Sequence, residues 1–383
     1  MREVYIIGAS MTQFGKHTGR SLRALGFEAC LNALRDADVR PKEIEAGYCG
    51  NALAPALQGE TGVGQNVFWE VGIHGIPVVN TENACASGST ALREGWVAVA
   101  GGIHEMVMVA GVEKTVMPKG TLLNVGGAEM ETQLGDVFPG YFALIARKHM
   151  ERYGTTREQL AKVSVKNHFN GTLNPYAQFQ KPLTVEEVLN SMMIADPLTL
   201  YSCCPNSDGA AALILCTREK AKKVRPRAVR IAASVLTTGT YENQRDITGW
   251  EVEQRAARKA YEMASLGPGD LEVVEVHDAF TISEIIHYEG LGLCPPGEGG
   301  RLIGEGATDL NGRIPVNPSG GLLSKGHPVG ASGVAQVVEI IWQLRGEAGK
   351  RQIRNARVGL AQIMGGNKEG DTRACTVHIL IKD

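Results

Sequence analysis

Two short runs of this chain hold residue types that together can activate a sulfur nucleophile. The first is Thr81-Glu82-Asn83-Ala84-Cys85-Ala86-Ser87-Gly88-Ser89-Thr90. The apolar Ile76-Pro77-Val78-Val79 before it reads as a buried strand. Ala91 to Ala100 after it, closed by Gly101-Gly102, reads as a helix. Cys85 is thus expected where a strand ends and a helix begins. Unpaired N–H groups and the positive end of the helix dipole favour thiolate over thiol at such a corner. Ala84, Ala86, Ser87 and Gly88 leave room for a substrate to reach the sulfur. Taken alone, such a cysteine reads first as a small packing residue. The second run, Asn317 to Gly333, carries His327 and leads into the apolar helix pattern Val334 to Trp342. His327 occupies the same kind of corner as Cys85. If two related halves pack with their corners facing one cleft, a thiol and an imidazole converge, the pairing that activates a nucleophile.

The elements that would place these residues alternate between strand-like and helix-like patterns. Val4–Ile7 reads as a strand, Ser21–Leu34 as a helix, and Met106–Gly111 as a further strand, which implies βαβ units and a largely parallel sheet. Ala33–Ile44 can be laid on Ala260–Leu271 so that Ala, Ala and Pro coincide. In both copies a helix face runs into a Pro-containing turn and then a strand, which suggests a duplicated half-domain. Between the halves, Val116 to about Ile194 carries glycine turns (Gly126-Gly127), Met117, Met130, Phe138, Tyr141 and Asn174-Pro175-Tyr176-Ala177-Gln178-Phe179. It reads as an insertion lying over the site rather than as sheet. The run Ala210–Cys216 reads as a buried strand returning to the first half. A basic stretch from Arg218 to Arg230, with Lys220, Lys222, Lys223, Arg225 and Arg227, joins the halves. It is either a solvated linker or an anion-attracting patch.

Composition narrows the functional classes. In 383 residues there are 47 glycines, 43% hydrophobic residues and 5% aromatics, as in a tightly packed α/β protein with many turns. A net charge of -2 gives no general reason to expect nucleic acid or an anionic membrane as partner. No apolar run approaches the length of a membrane span. Met1–Gly8 reads as a first strand and lacks a signal-peptide pattern, and Ile381-Lys382-Asp383 is not the peroxisomal tripeptide. Eight cysteines without metal-ligand spacing fit a reducing cytoplasm. Gly62-Val63-Gly64-Gln65 lacks the third glycine of a dinucleotide loop, and Gly297–Gly306 lacks a Walker lysine and serine. Cys203 and Cys204 are expected in the core, with a role at the cleft as the lesser reading. His74, His104, His149, His287 and His378 show no ligand spacing.

Gly326-His327-Pro328-Val329-Gly330-Ala331-Ser332-Gly333 resembles the GHPxGxSG signature of the thiolases. Asn83–Gly88 resembles their nucleophile segment, and Gly111-Val112-Glu113 the end of their following strand. Asn174–Phe179 and Cys203–Ala211 are similar to the sterol-carrier-protein-2-type branch and its archaeal and bacterial relatives. The resemblance spans essentially the whole chain. It implies two duplicated βαβαβαββ halves in a five-layer αβαβα arrangement with an inserted loop domain. The boundaries expected are 1–115 with 195–225 for the first half, 116–194 for the loop domain and 226–383 for the second half. It also implies Cys85 as the acyl-accepting nucleophile and His327 as the base activating it or the coenzyme A thiol. His277, in Val276-His277-Asp278-Ala279-Phe280, would help form one oxyanion hole, and the N–H groups of Cys85 and Gly365 the other. A hydrogen-bonded strand-end histidine and a turn glycine are the plainer readings of those two positions. His168, in the inserted segment, is a candidate to approach the coenzyme.

Two departures stand out. Ordinary thiolases carry a second catalytic cysteine in a CxGGG motif, where this chain has Ile363. The sterol-carrier branch supplies its replacement in an HDCF motif, where this chain has Ala279. The proton donor for the carbon–carbon step is therefore unassigned among His277, His327 and a bound water. The space left by Ala279 suits a bulky, branched or aromatic acyl group, as in benzoylsuccinyl-CoA. The resemblance implies coenzyme A-dependent cleavage or formation of a 3-oxoacyl-CoA, with coenzyme A as co-substrate and no metal or tightly bound cofactor. It also implies a homodimer or dimer of dimers, with a small zinc-ribbon/OB-fold protein as a further partner. Acetoacetyl-CoA synthesis by an acetyl-CoA acetyltransferase is the alternative within the class, with ketosynthase-like condensation disfavoured by the signature. A non-catalytic acyl-CoA-binding scaffold is the alternative outside it.

Overall fold

The computed structural model describes residues 1–117, 130–224, 227–241, 246–368 and 371–382. Gly126-Gly127 and Arg225 lie outside the described residues. The first half runs β1 (Val4–Met11), α1 (Leu22–Ala37), β2 (Ala46–Gly50), α2 (Val63–Glu70), β3 (Val78–Thr81), α3 (Ser87–Ala100) and β4 (Met106–Lys114). Helices α4 (Phe138–Tyr153) and α5 (Arg157–Thr172) and a small hairpin (Met193–Ala195 with Leu198–Thr199) precede β5 (Asp208–Thr217). The second half runs β6 (Val229–Thr237), α6 (Glu251–Ala264), β7 (Val273–Glu275), α7 (Thr281–Gly290), α8 (Val329–Arg345), β8 (Val358–Lys368) and β9 (Asp371–Ile381).

The strands lie in the order β3-β2-β4-β5-β1 in the first half and β6-β9-β8-β7 in the second. Parallel pairing joins β2 to β3 and β4 and joins β7 to β8, while the remaining pairs are antiparallel. The two halves meet edge to edge through Tyr5↔Arg230 and Ile6↔Val229. The duplication read from the alignment of Ala33 on Ala260 is visible in detail. Asp38 ends α1 and Ser265 ends α6, both in the left-handed conformation (φ 52° and 55°). Short 3-10 turns at Pro41–Glu43 and Pro268–Asp270 then feed β2 and β7. An isolated bridge, Val274↔Val316, stands where the second half would carry its counterpart of β3.

Strand faces sort the core into layers, because successive side chains point to opposite sides. Tyr5 and Ile7 of β1 and Ala210, Ala212 and Ile214 of β5 pack outward onto α1 and α2. Val4, Ile6, Ala9 and Met11 face inward onto α3 and α8, and a bulge between Ile6 and Gly8 explains the change of parity. Helix α8 packs against α3, against β4 and β5 of the first half, and against β8 of the second. Helix α6 covers the outer face of β6 and β9. Helix, sheet, helix, sheet, helix is the five-layer order expected. The linker cations Arg218, Lys220 and Arg227 pair with Glu3, Glu105 and Asp36 respectively, so their charge is spent on surface ion pairs rather than held open for an anion. No helix among the described residues is long and apolar enough to cross a membrane.

Candidate active site

The turn after β3 is built from its own polar groups. The Asn83 N–H donates to Ser87 Oγ at 2.9 Å, and Ser87 Oγ–H donates to the Ala84 carbonyl at 2.6 Å. Ala84 is held at φ 48°, a conformation few non-glycine residues adopt. The next residue, Cys85, is thereby thrust out of the turn, two positions before α3 begins at Ser87. In the second half Gly326 (φ 107°) turns the chain into His327, whose N–H donates to Ser207 Oγ at 2.9 Å.

The two corners meet. His327 Nε2 lies 3.2 Å from Cys85 Sγ, and His327 Nδ1 lies 2.7 Å from Ser332 Oγ. Ser332 spends its own proton on the Pro328 carbonyl at 3.0 Å, so its oxygen must accept from the imidazole. That assigns the proton to Nδ1 and leaves the Nε2 lone pair facing the thiol. The approach of the halves is set by glycine. A Cβ on Gly88 of α3 or on Gly111 of β4 would stand 2.3 or 2.4 Å from the Gly330 carbonyl at the start of α8. Buried Glu113 ties the same places together by accepting N–H groups from Ala52, Leu53 and Gly330.

Burial overrides the helix dipole at this corner. Desolvation pushes the Cys85 thiol up to about 12, opposed only in part by the N–H groups of Gly366 and of Cys85 itself. His327 is pushed down to about 3, by burial first and the neighbouring Lys325 second. The resting pair is therefore a neutral thiol and a neutral imidazole. The thiolate expected from the helix N-terminus is not favoured, because the sulfur precedes the helix and loses more to desolvation than it gains there, although the residue is only partly buried.

His277 joins the pair, its ring centroid 5.4 Å from that of His327. Its backbone N–H donates to Gln362 Oε1 and its carbonyl accepts from His287 Nε2, while His287 Nδ1 is held by Glu253. His277 Nε2 is buried with no hydrogen-bond partner, and burial next to His327 and His287 holds the ring neutral. The sulfur and one nitrogen from each ring lie within 4.8 Å of one another, a donor set that suits thiol catalysis and would also hold a soft cation. The N–H directed at the Cys85 sulfur is that of Gly366, one residue beyond Gly365. Gly365 itself packs on the nucleophile turn, where a Cβ would meet the Asn83 carbonyl at 2.0 Å. His168 lies apart, buried in α5 between Phe179 and Tyr201 and outside the pocket wall.

The three residues line a cavity of about 280 Å³ whose remaining wall is largely apolar. Phe138, Tyr141 and Phe142 reach it from α4, and Trp250, Phe280 and Met364 from the second half. The inserted segment thus covers the site, as its position in the chain suggested. Cys203 and Cys204 pack partly buried against the core, as expected, and also line the cavity, because their segment pairs with Phe280 and Ala279 at its edge. Ser332, Ser207 and Gly366 were not singled out from the sequence. Ser332 had a signal, since it stands inside the same glycine-rich run as His327.

The sequence matches the family profile "Thiolase, N-terminal domain" over residues 4–219 and "Thiolase C-terminal domain-like" over residues 233–378. It is 47% identical to an acetyl-CoA acetyltransferase of Methanothermobacter thermautotrophicus, over 99% of both chains. It is 39% identical to sterol carrier protein 2 of Bos taurus, over 94% of this chain and 70% of that one. It is also 39% identical to the benzoylsuccinyl-CoA thiolase subunit BbsB of Thauera aromatica, over 95% of both. Among solved structures it superposes on the Ltp2-ChsH2(DUF35) aldolase with a TM-score of 0.85, at 25% identity over 100% of this chain and 98% of that one. With both halves matched and the nucleophile corner facing its histidine, the chain belongs to the thiolase family.

Proposed function

We propose that this thiolase-type acyltransferase cleaves or forms a 3-oxoacyl-CoA through a thioester on Cys85, with coenzyme A as co-substrate. The observation that carries the reading is the 3.2 Å approach of His327 Nε2 to Cys85 Sγ, with the imidazole proton committed to Ser332. In the degradative direction the Cys85 proton passes to His327 Nε2 as the sulfur attacks the C3 carbonyl. The N–H groups of Cys85 and Gly366 receive the oxyanion on that carbon, and His277 donates from Nε2 to the thioester oxygen of the departing enolate. Neutral histidines suit both tasks, since each must hold or receive one proton rather than carry charge at rest.

The acyl end of the cavity favours a group larger than acetyl. Ala279 puts a short side chain on the cavity that holds the sulfur, and Phe142 and Phe280, which also line it, stack with centroids 4.4 Å apart. A bulky, branched or aromatic acyl chain, of the kind named for the Thauera relative, fits such a wall. The alternative, acetoacetyl-CoA synthesis, draws on the Methanothermobacter relative. We take the chain to act as a homodimer or dimer of dimers, since β3 sits at the sheet edge with Val79 exposed. The name of the Ltp2-ChsH2(DUF35) aldolase joins two components, one of them marked DUF35, which supports a small partner protein here as well. Eight free cysteines agree with a reducing cytoplasm.

Intact mass after incubation with acetyl-CoA and with an aromatic acyl-CoA tests the reading, alone and with the partner. An acyl adduct that vanishes in Cys85→Ala supports it. No adduct under either condition would leave an acyl-CoA-binding scaffold. A kcat/KM for acetoacetyl-CoA far above those for branched and aromatic 3-oxoacyl-CoAs would decide for the acetyl alternative.

A further inference from the structure

The proposed cycle lacks a group to protonate the carbon released when the C2–C3 bond breaks. Positions 279 and 363, where related enzymes carry that thiol, are Ala and Ile here. The adjoining segment supplies one. The Cys204 N–H donates to the Ala279 carbonyl at 2.9 Å, and Cys203 bridges Phe280. Two residues on, Asn206 bridges His327, and Ser207 Oγ receives the His327 N–H. The segment Cys203–Ser207 thus runs along the cavity from the His277 loop to the His327 loop. The Cys203 thiol is engaged, donating to the Thr199 carbonyl at 3.4 Å. Cys204 lines the cavity with Cys85, His277 and His327, and its sulfur makes no hydrogen bond to any other described residue. In the same cavity, His277 is 8% exposed, with Nε2 unpartnered. An unpartnered imidazole nitrogen and an unengaged thiol therefore line the cavity in which the enolate would form.

Resting on the acyl-transfer reading above, we propose that Cys204 is the second catalytic thiol, moved from position 279 to the neighbouring segment. In thiolysis the Cys85 proton goes to His327 and the sulfur bonds to C3. The C2–C3 electron pair goes to C2, which takes the Cys204 proton, and the C1–C2 fragment leaves as its coenzyme A thioester, with the shortened acyl group held on Cys85. His327 then returns its proton to the Cys204 thiolate and takes that of incoming coenzyme A, whose sulfur attacks the acyl group. Cys85 departs and recovers its proton from His327, so every group ends as it began. Condensation runs the same transfers backwards, with Cys204 removing the C2 proton.

The test compares wild type, Cys204→Ala and Cys204→Ser on two readouts. One is the adduct formed on Cys85 by acyl-CoA, which needs only Cys85 and His327. The other is exchange of the C2 hydrogens of the acyl-CoA with deuterated water, together with the thiolysis rate. The expected result is an intact adduct in both variants, with exchange and thiolysis reduced about 10²- to 10⁴-fold. Exchange and thiolysis within a few-fold of wild type would overturn the assignment. So would loss of the adduct together with exchange, which would mark Cys204 as a structural residue. If wild type itself forms no adduct, the acyl-transfer reading fails, a result separable from these.

Discussion

Ser332 Oγ accepts the Nδ1 proton of His327 at 2.7 Å while donating its own to the Pro328 carbonyl. The serine is therefore an obligate acceptor, and the imidazole has one tautomer available. Ser332→Ala should leave the fold intact and lower kcat by about 10- to 100-fold, the scale seen when a group orienting a functional histidine is lost. Steady-state kinetics beside an unchanged circular dichroism spectrum checks this, and an unaltered kcat would refute the tautomer argument.

Gly88→Ala should damage both stability and chemistry. Its new methyl would stand 2.3 Å from the backbone oxygen of Gly330, which cannot rotate away. Overpacking of this kind costs about 1–3 kcal/mol and moves α8, and with it His327, away from the sulfur. Thermal denaturation and the rate of adduct formation should fall together.

Alkylation of Cys85 by iodoacetamide should report a thiol, not an ion pair. With the thiol raised to about 12 by burial, the thiolate fraction grows tenfold per pH unit across the neutral range. The rate should climb from pH 6 to 9 with no plateau. A plateau below pH 8 would mean that the backbone N–H groups and imidazole outweigh desolvation.

Acid should destabilise the fold through buried histidines. His378 is held between Ser89 and Ser234, and burial lowers it to about 3, as it lowers His327. A histidine depressed in the fold binds its proton first in the unfolded chain. Its stabilisation is thus complete above about pH 6.5 and is lost as the pH falls toward 3. Each such group contributes a slope of about 1.4 kcal/mol per pH unit. His378→Gln should reduce the slope of unfolding free energy between pH 6 and 4 by one proton.

Ala279→Leu should separate the two acyl readings. The larger side chain takes up space in the cavity that holds the sulfur, so activity toward aromatic 3-oxoacyl-CoAs should drop at least tenfold while any acetoacetyl-CoA activity persists. Equal losses on both substrates would mean that this wall does not select the acyl group.

The sequence made the two corners legible because both rest on local signals: small residues around Cys85, and glycines around His327 that permit the turn at Gly326. The duplication was legible because helix, proline turn and strand recur in the same order. What it hid depends on contacts between distant segments. Nothing local marks Cys203 and Cys204 as wall as well as core, since their exposure depends on how their segment pairs with Ala279 and Phe280. The ionisation of Cys85 is hidden for the same reason: the dipole is a local property, whereas the desolvation that raises the thiol comes from distant segments.

Helix α8 begins only at Val329, yet it covers β4 and β5 as well as β8. During synthesis the first half therefore completes its strands long before the helix that seals their inner face exists. From the end of β5 at Thr217 until α8 is made, part of an apolar surface rich in valine, leucine and alanine lacks its cover, in the period when chains are most prone to aggregate. For this protein, yield in the cell should depend on what shelters that nascent face.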